Sequence, residues 1–438
     1  MNASVPTTLA ALLVATGSFA QPPVPVTASV ETPPVYDDEA GGDADADDPA
    51  VWIDPDDPER SIVIGTLKKA GLDVYGLDGE RIQHIPAPEA PDEEAAPGRF
   101  NNVDVLYGFE LDGEKTDLAI VSDRGRDRIR AFAIDPEAVA EGRPPLRDVT
   151  APDVQPVFAA DEAEVDDQRT SYGLTTYRHG DDAFVVVSQR EETRLRLLAL
   201  KDEGGLVGYK TEDTLELPDT FTLPDGTEWT PCADPGERPQ VEGMAVDEEE
   251  HVLYAGQETV GLWRIELDKD EFADAELIDR VREYGTPWTY DETADEECVL
   301  DTENDPGFGG ENISADAEGV TLYHAGDGAG YVLVSSQGDD TFAVYERDGD
   351  NDYVGSFAIV DGPATDGTQH SDGATVVNVP LGDAFPQGLL VTHDGEETPA
   401  DGERESTNFK LTRWDAVADA FPEPLVIDTE SFDPRGVN

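Results

Sequence analysis

Basic residues are scarce in this chain: 29 Lys and Arg stand against 98 Asp and Glu in 438 residues, a formal net charge of −69. So anionic a surface repels nucleic-acid phosphates and anionic membranes, which argues against both as partners. It also pushes the compact state apart in dilute buffer. At about 1 M salt the screening length falls to about 3 Å, so acid spread evenly over turns and strand edges reads as adaptation to a saline habitat. Long apolar runs are missing too. The stretch from Leu9 to Ala20 is too short to span a bilayer and ends in small residues before Gln21, the pattern of a secretory signal peptide over residues 1–20, although no Lys or Arg stands near Met1. Residues 21–36 read as a flexible Pro-rich acidic leader, and export without a membrane anchor is the expectation. Cysteine is limited to Cys232 and Cys298, both in polar loops. In an exported protein they are either bridged or two unrelated free thiols.

What the chain does contain is a repeat. The stretch Gln240 to Leu267 reads as three short strands, VEGMAVD, HVLYAG and GLWRIEL, separated by acidic or polar turns. The second and third strands and their break recur from Ser61, Asp117, Ala183, Gly330 and Gly388, and the leading strand recurs as DPAVWID, NNVDVLY, SYGLTTY, AEGVTLY and DGATVVN. About six copies at a period of roughly 55 to 80 residues predict an all-β, six-bladed β-propeller over residues 37–425, with a tail over 426–438.

Position within the repeat picks out candidate chemistry. Leading strands open with Asp47 and Asp48, Asn101 and Asn102, Tyr172, Glu242, Glu318 and Asp372; the strand breaks carry Lys68, Arg124, Arg190, Glu258, Gln337 and Asp394. Radial blades bring equivalent positions to one end of a central channel. Carboxylates converging there suit a hard divalent cation such as Ca²⁺, which takes six to eight oxygen ligands. Asp47, Asp48, Glu242, Glu258, Asp316, Glu318, Asp366 and Asp372 offer such oxygens, and Gln337 adds an amide carbonyl. Lys68, Lys69, Arg124 and Arg190 are the counterweight, with Arg offering a forked donor geometry suited to phosphate. Arg126, Arg128 and Arg194 lie further along their turns and read as surface ion pairs.

Two motif matches are decoys. Arg178, His179 and Gly180 spell the start of a histidine phosphatase signature, but Asp181, Asp182 and Ala183 follow where a further Arg and a Pro are needed. Cys232 and Arg238 have the C-x5-R spacing of cysteine phosphatases, yet Pro235 removes one of the backbone N–H groups such a loop needs, and Pro231 stands where a His belongs. Neither a nucleophile elbow nor a Walker loop is found. Metal-assisted attack by water is the chemistry left.

In order along the chain, DADADDPAVWIDP, TLKKAGLDVYGLDG, FNNVDVLYGFELDGEK, SDR, YGLTTY, VEGMAVD, DAEGVTLYHAGDGAGYVLVSSQG, VDGPATDGTQHSDG and THDGE with NFKLTRW resemble the β-propeller phytases, from about Asp43 to Trp414. The resemblance implies a calcium-dependent enzyme that hydrolyses myo-inositol hexakisphosphate (phytate) to lower inositol phosphates, with several Ca²⁺ ions at the channel mouth and no phosphoenzyme. It matches Lys68, Arg124 and Tyr172 to the family's phosphate contacts, and Asp47, Asp48, Glu242, Glu258, Asp316, Glu318, Gln337, Asp366 and Asp372 to its calcium sites. Lys69 and Arg190 join the substrate side, and Lys68, Arg124, Tyr172, Arg190 and Glu242 are the expected catalytic set. Three departures stand out: Arg190 where the family has Lys, Gln257 where it has Glu, and His370 where it has Asp. Asp219 to Pro239 and Arg282 to Ile313 are insertions that hold both cysteines. The expected partner is phytate as its calcium complex, bound by a monomer. The rival readings are a calcium-dependent lactonase or esterase of the same architecture and a non-catalytic calcium-stabilised binding propeller; the cations in equivalent breaks weigh against the lactonase.

Overall fold

The structure is a computed structural model that describes residues 22–435, apart from 94, 295, 296 and 403. The expected signal peptide lies outside the described residues. Six antiparallel sheets form the body. Blade 1 comprises Pro49–Trp52, Ile62–Thr66, Leu72–Gly76 and Arg81–Ile85; blade 2 Phe100–Leu111, Glu114–Asp123, Arg128–Ile134 and Leu146–Asp148; blade 3 Ser171–His179, Asp182–Gln189, Arg194–Asp202 and Val207–Glu216. Blade 4 comprises Val241–Asp247, Val252–Gln257, Gly261–Asp268 and Glu271–Arg280; blade 5 Ala317–His324, Gly330–Ser336, Thr341–Glu346 and Tyr353–Ile359; blade 6 Ala374–Val377, Leu389–Asp394 and Ser406–Arg413. The first strand of each blade touches the first strand of the next, and Ala374–Val377 returns to Pro49–Trp52, so the ring closes. The six-bladed propeller expected from the repeat is the fold observed.

The N-terminal segment corrects the sequence reading. The expected flexible leader, in its described part 22–36, is built into the ring: Val24–Val26 adds in parallel to the outer edge of blade 5, while Val30–Glu31 and Val35–Tyr36 pair antiparallel with Ser406–Arg413 and supply the missing outer strand of blade 6. The prolines in VPVTASVETPPVY masked this, yet Pro is tolerated on edge strands, and Val26 and Val35 are buried. The ends of the chain thereby lock the ring. The described part of the C-terminal tail, 426–435, packs on the ring: Phe432 stacks on His324 at 4.0 Å between centroids, and Arg435 donates to the Ile53 carbonyl at 2.9 Å and pairs with Asp117 at 2.6 Å.

Apolar packing lies between blades. Blades 5 and 6 meet at Trp414, fully buried and stacked on Tyr323 at 4.2 Å; burying a side chain of that size contributes about 3 kcal/mol. The insertions form two small hairpins, Phe221–Thr222 with Glu228–Trp229, and Trp288–Tyr290 with Cys298–Leu300. Cys232 and Cys298 are bridged, with Cα atoms 5.8 Å apart, which resolves the alternative of two free thiols. Among the described residues no helix is long and apolar enough to cross a membrane.

Candidate active site at the channel mouth

Every first strand starts at the same end of the channel, and a local irregularity makes that end a site. The strand ladders slip between Phe100 and Val103, Ser171 and Leu174, Val241 and Met244, and Ala317 and Val320. Such bulges release the side chain from the alternating pattern and re-aim it. Here they fall on Asn101 and Asn102, Tyr172, Glu242 and Glu318. Glycine follows four of the mouth residues for a steric reason. A Cβ on Gly173 would lie 1.9 Å from the Glu242 carbonyl oxygen, and one on Gly243 would lie 2.2 Å from that of Glu318. Gly319 and Gly373 are pressed the same way against Asp372 and Asp48. Each blade therefore seats its mouth residue against the next, and YG, EG, EG and DG in the sequence are the mark of this contact.

The carboxylates meet as expected from repeat position. Glu242, Glu258 and Glu318 each offer an oxygen, all within 4.8 Å of one another. Glu242 accepts hydrogen bonds from Asn101 Nδ2 at 2.6 Å and Tyr172 Oη at 2.5 Å, which fixes its rotamer. Gln240 Nε2 donates to both Glu258 oxygens, at 2.9 and 3.1 Å. Gln337 Nε2 donates to Asp372 at 2.7 Å, which leaves the Gln337 carbonyl oxygen for a cation. Lys68 Nζ lies 2.5 Å from Asp45 and 3.3 Å from Asp372, with Asp47 adjacent. Asp48 accepts from the Val103 amide at 3.0 Å, and the Asp316 charge acts on Glu258.

Electrostatically this ring is incomplete by itself. Burial, then neighbouring charge, pushes the Asp47, Asp48, Glu258 and Glu318 carboxyls well above their ordinary range, and Glu242 is raised for the same reason. Burial would raise Asp372 as well, but Lys68 holds it below the usual carboxylate value. Both Asp47 oxygens and Glu318 Oε2 are buried without a hydrogen-bond donor. Orphaned buried acceptors carry a desolvation cost of about 1–3 kcal/mol each. An all-oxygen, carboxylate-rich set of this kind fits a hard divalent cation, so the residues present fit calcium.

Beside Tyr172 the mouth is cationic. Arg124 lies over the Tyr172 ring at 5.6 Å, has no carboxylate partner among the described residues, and buries its Nε without an acceptor. Among the described residues Arg190 pairs only with its neighbour Glu191, and its pKa is lowered by burial and then by Arg124. Lys69 stands further out, 3.4 Å from Asp43 and more than a third exposed.

One expected ligand lies off this ring, as do two of the three departures from the family pattern. Asp366 is not at this ring: it sits in a second group with Glu31 and Glu397, where the buried Lys410 ammonium pairs with it and with Asp394 at 3.1 Å, while Thr398 donates to its other oxygen at 2.6 Å. Asp366 lies inside the loop 360–373 between blades 5 and 6, so motif position alone did not fix where the side chain points. Gln257 faces away from the mouth, donating to the Pro239 carbonyl at 2.8 Å and accepting from Trp263 at 2.9 Å. His370 is exposed at the rim, its amide bonded to Asp340 at 2.9 Å. Asn101, Asn102, Gln240, Asp45 and Arg99 belong to the mouth but were not selected as site residues. Asn101 and Asn102 stood at a strand opening, and only adjacency to such openings or to DADADD signalled the others. Both decoys dissolve: Cys232 is bridged, and Arg178 points to the far end of the channel, donating to the Tyr107 carbonyl at 2.9 Å.

Comparison with known proteins agrees. A family model described as Phytase matches residues 2–177 and 237–438, skipping part of blade 3 and most of the first insertion. A 3-phytase of Bacillus subtilis (strain 168) is 32% identical over 396 residues, covering 90% of this chain and 84% of that protein. Among solved structures, regucalcin from Agrobacterium tumefaciens strain C58, described as a calcium-binding protein, covers 89% of this chain and 97% of its own with a TM-score of 0.44 and 11% identity. The β-propeller domain of Cps50 (Swd1) from Myceliophteria thermophila covers 82% of each chain with a TM-score of 0.37 and 11% identity. With the family match extending over most of its length, this chain belongs to the phytase family.

Proposed function

We propose that the protein is a calcium-dependent phytase of the 3-phytase type, which hydrolyses phosphomonoesters of myo-inositol hexakisphosphate by direct attack of water, is exported, works in saline surroundings as a monomer, and takes its substrate as the calcium complex. The observation that carries this reading is that, at one channel mouth, buried carboxylate oxygens without donors stand beside an arginine that has no carboxylate partner among the described residues. In a chain of 98 acids and 29 bases a half-buried guanidinium with its Nε buried and no carboxylate partner among the described residues calls for an anion from outside.

Asp47, Asp48, Glu242, Glu258, Glu318, Asp372 and the Gln337 carbonyl would hold calcium, and Asp316 is the further candidate; calcium bound there supplies positive charge that polarises phosphoryl oxygens and eases deprotonation of water. Lys68, Arg124 and Arg190 orient the phosphate and offset charge that grows on its oxygens as the ester breaks. Tyr172 is kept protonated by burial and by Glu242, so it donates. Glu242, held between Tyr172 and Asn101, is placed to accept the proton that the attacking water gives up. A polyanionic substrate approaching so acidic a protein needs cations between them, whether on the protein, on the phytate or on both.

The test is phosphate release from phytate across a calcium titration with a chelator control. Negligible release in chelator and a steep rise with calcium is the expected result, and a flat response removes the reading. Hydrolysis of an aryl ester or lactone without phosphate release would favour the lactonase instead.

A further inference from the structure

Arg99, the residue just before the first strand of blade 2, is a basic side chain at the mouth that neither the repeat nor the family motifs single out. Its placement is fixed by the backbone. The Arg99 carbonyl accepts from the Arg124 amide at 2.8 Å, the Arg99 amide donates to Asp123 at 3.1 Å, and the segment Pro97 to Arg99 lies so close to Gly125 that a Cβ there would be 1.9 Å from the Pro97 carbonyl. Residues 99 and 124 are thus locked side by side. The Arg99 side chain is 14% exposed and its Nε is buried without an acceptor. The fields of Arg124, Tyr172, Arg190 and Glu242 all reach it, and burial followed by repulsion from Arg124 lowers its pKa to about 10.

Three guanidiniums therefore crowd one wall. Like charges packed together in a partly dry site are costly without an anion between them. Among the described residues the one carboxylate that pairs with Arg99 is Asp43, which comes from the loop before blade 1, is 36% exposed, has a left-handed φ of 75°, and also pairs with Lys69 at 3.4 Å. A structural ion pair would be placed to keep both partners satisfied. This one instead shares a half-exposed carboxylate between two cations and leaves Arg99 Nε unmet.

We propose that Arg99 is a third phosphate-binding guanidinium of the mouth, and that Asp43 is a stand-in counter-ion that a phosphate group of the substrate displaces from Arg99 and Lys69. The proposal deepens the phytase reading and rests on it for the identity of the anion. It gives opposite signs to the two members of one ion pair. Removing the cation takes away a charge-assisted contact to phosphate, whereas removing the carboxylate frees two cations for it.

The experiment measures equilibrium binding of calcium-loaded phytate by calorimetry and, separately, steady-state phosphate release. Arg99→Gln is expected to weaken binding by about tenfold to 100-fold and to raise KM by a similar factor with kcat changed much less. Arg99→Lys recovers part of the loss, and Asp43→Asn tightens binding by about threefold to tenfold. Thermal unfolding in chelator is expected to be nearly unchanged for Asp43→Asn. If Arg99→Gln binds as the wild type does, or if Asp43→Asn weakens binding as much as Arg99→Gln, the pair is structural and the proposal is overturned. Tight binding that obeys these signs without any phosphate release would sustain it while overturning the catalytic reading of the site.

Discussion

Replacing Glu318 by Gln separates the cost of the carboxylate ring from its purpose. The nearest oxygens of Glu242, Glu258 and Glu318 lie within 4.8 Å of one another. At an effective dielectric of about 20, two unit charges at that distance repel by about 3.5 kcal/mol, and Glu318 faces two such neighbours. A carboxyl escapes this repulsion by taking up a proton, which for an ordinary glutamate at pH 7.5 costs about 4 kcal/mol, so that figure caps the penalty. The amide is nearly isosteric and still able to donate to Glu242. Glu318→Gln should therefore stabilise the protein in chelator by about 2–4 kcal/mol at pH 7.5. The sign with pH follows from the raised carboxyl: the folded state holds its proton more tightly than the unfolded state, so wild-type stability falls as pH rises above the ordinary value of 4.5, and the advantage of the variant vanishes near that pH. In calcium the gap narrows. At a hundred times the dissociation constant a bound ion stabilises by about 2.7 kcal/mol, and a variant lacking one ligand gains less. Denaturant unfolding of both proteins with and without calcium reads all four values. A variant less stable than wild type in chelator, or one with an undiminished calcium shift, would refute the reasoning.

Other perturbations probe parts of the fold away from the mouth. Arg347 is fully buried and pairs with Asp247 and, at 2.5 Å, with Glu249; Arg347→Met strands the buried Asp247 charge and should cost about 3–5 kcal/mol in denaturant unfolding. Glu248, at the far end of the channel beside a cavity of about 200 Å³, has its pKa raised to about 7, chiefly by burial. Its folded state is favoured at low pH and penalised as pH climbs from 4.5 to about 7, so Glu248→Gln should gain about 2–3 kcal/mol at pH 8 and nothing at pH 4 in a pH series of melts. Breaking the Cys232–Cys298 bridge, which spans 66 residues of sequence, with a double Ser substitution should lower stability by about 2–4 kcal/mol and open the two inserted hairpins to protease.

The sequence by itself determined the blade count and the residues that open each first strand, because side-chain alternation and turn chemistry are local properties that a repeat displays at fixed spacing. It also determined that Glu242, Glu258, Glu318, Asp372, Lys68, Arg124 and Tyr172 would meet, since equivalent positions on radial blades converge whatever the loops do. Tertiary structure alone decided the rest. Val30–Glu31 and Val35–Tyr36 have no local sign of being the outer strand of blade 6, because their partners lie at the other end of the chain. Asp366 shared a motif with the calcium set yet went to Lys410, since a loop between blades, unlike a strand start, carries no fixed direction. Arg99 was invisible for a similar reason. Its proximity to Arg124 comes from a backbone hydrogen bond between separate segments and a close approach over Gly125, and neither leaves a mark at a fixed spacing.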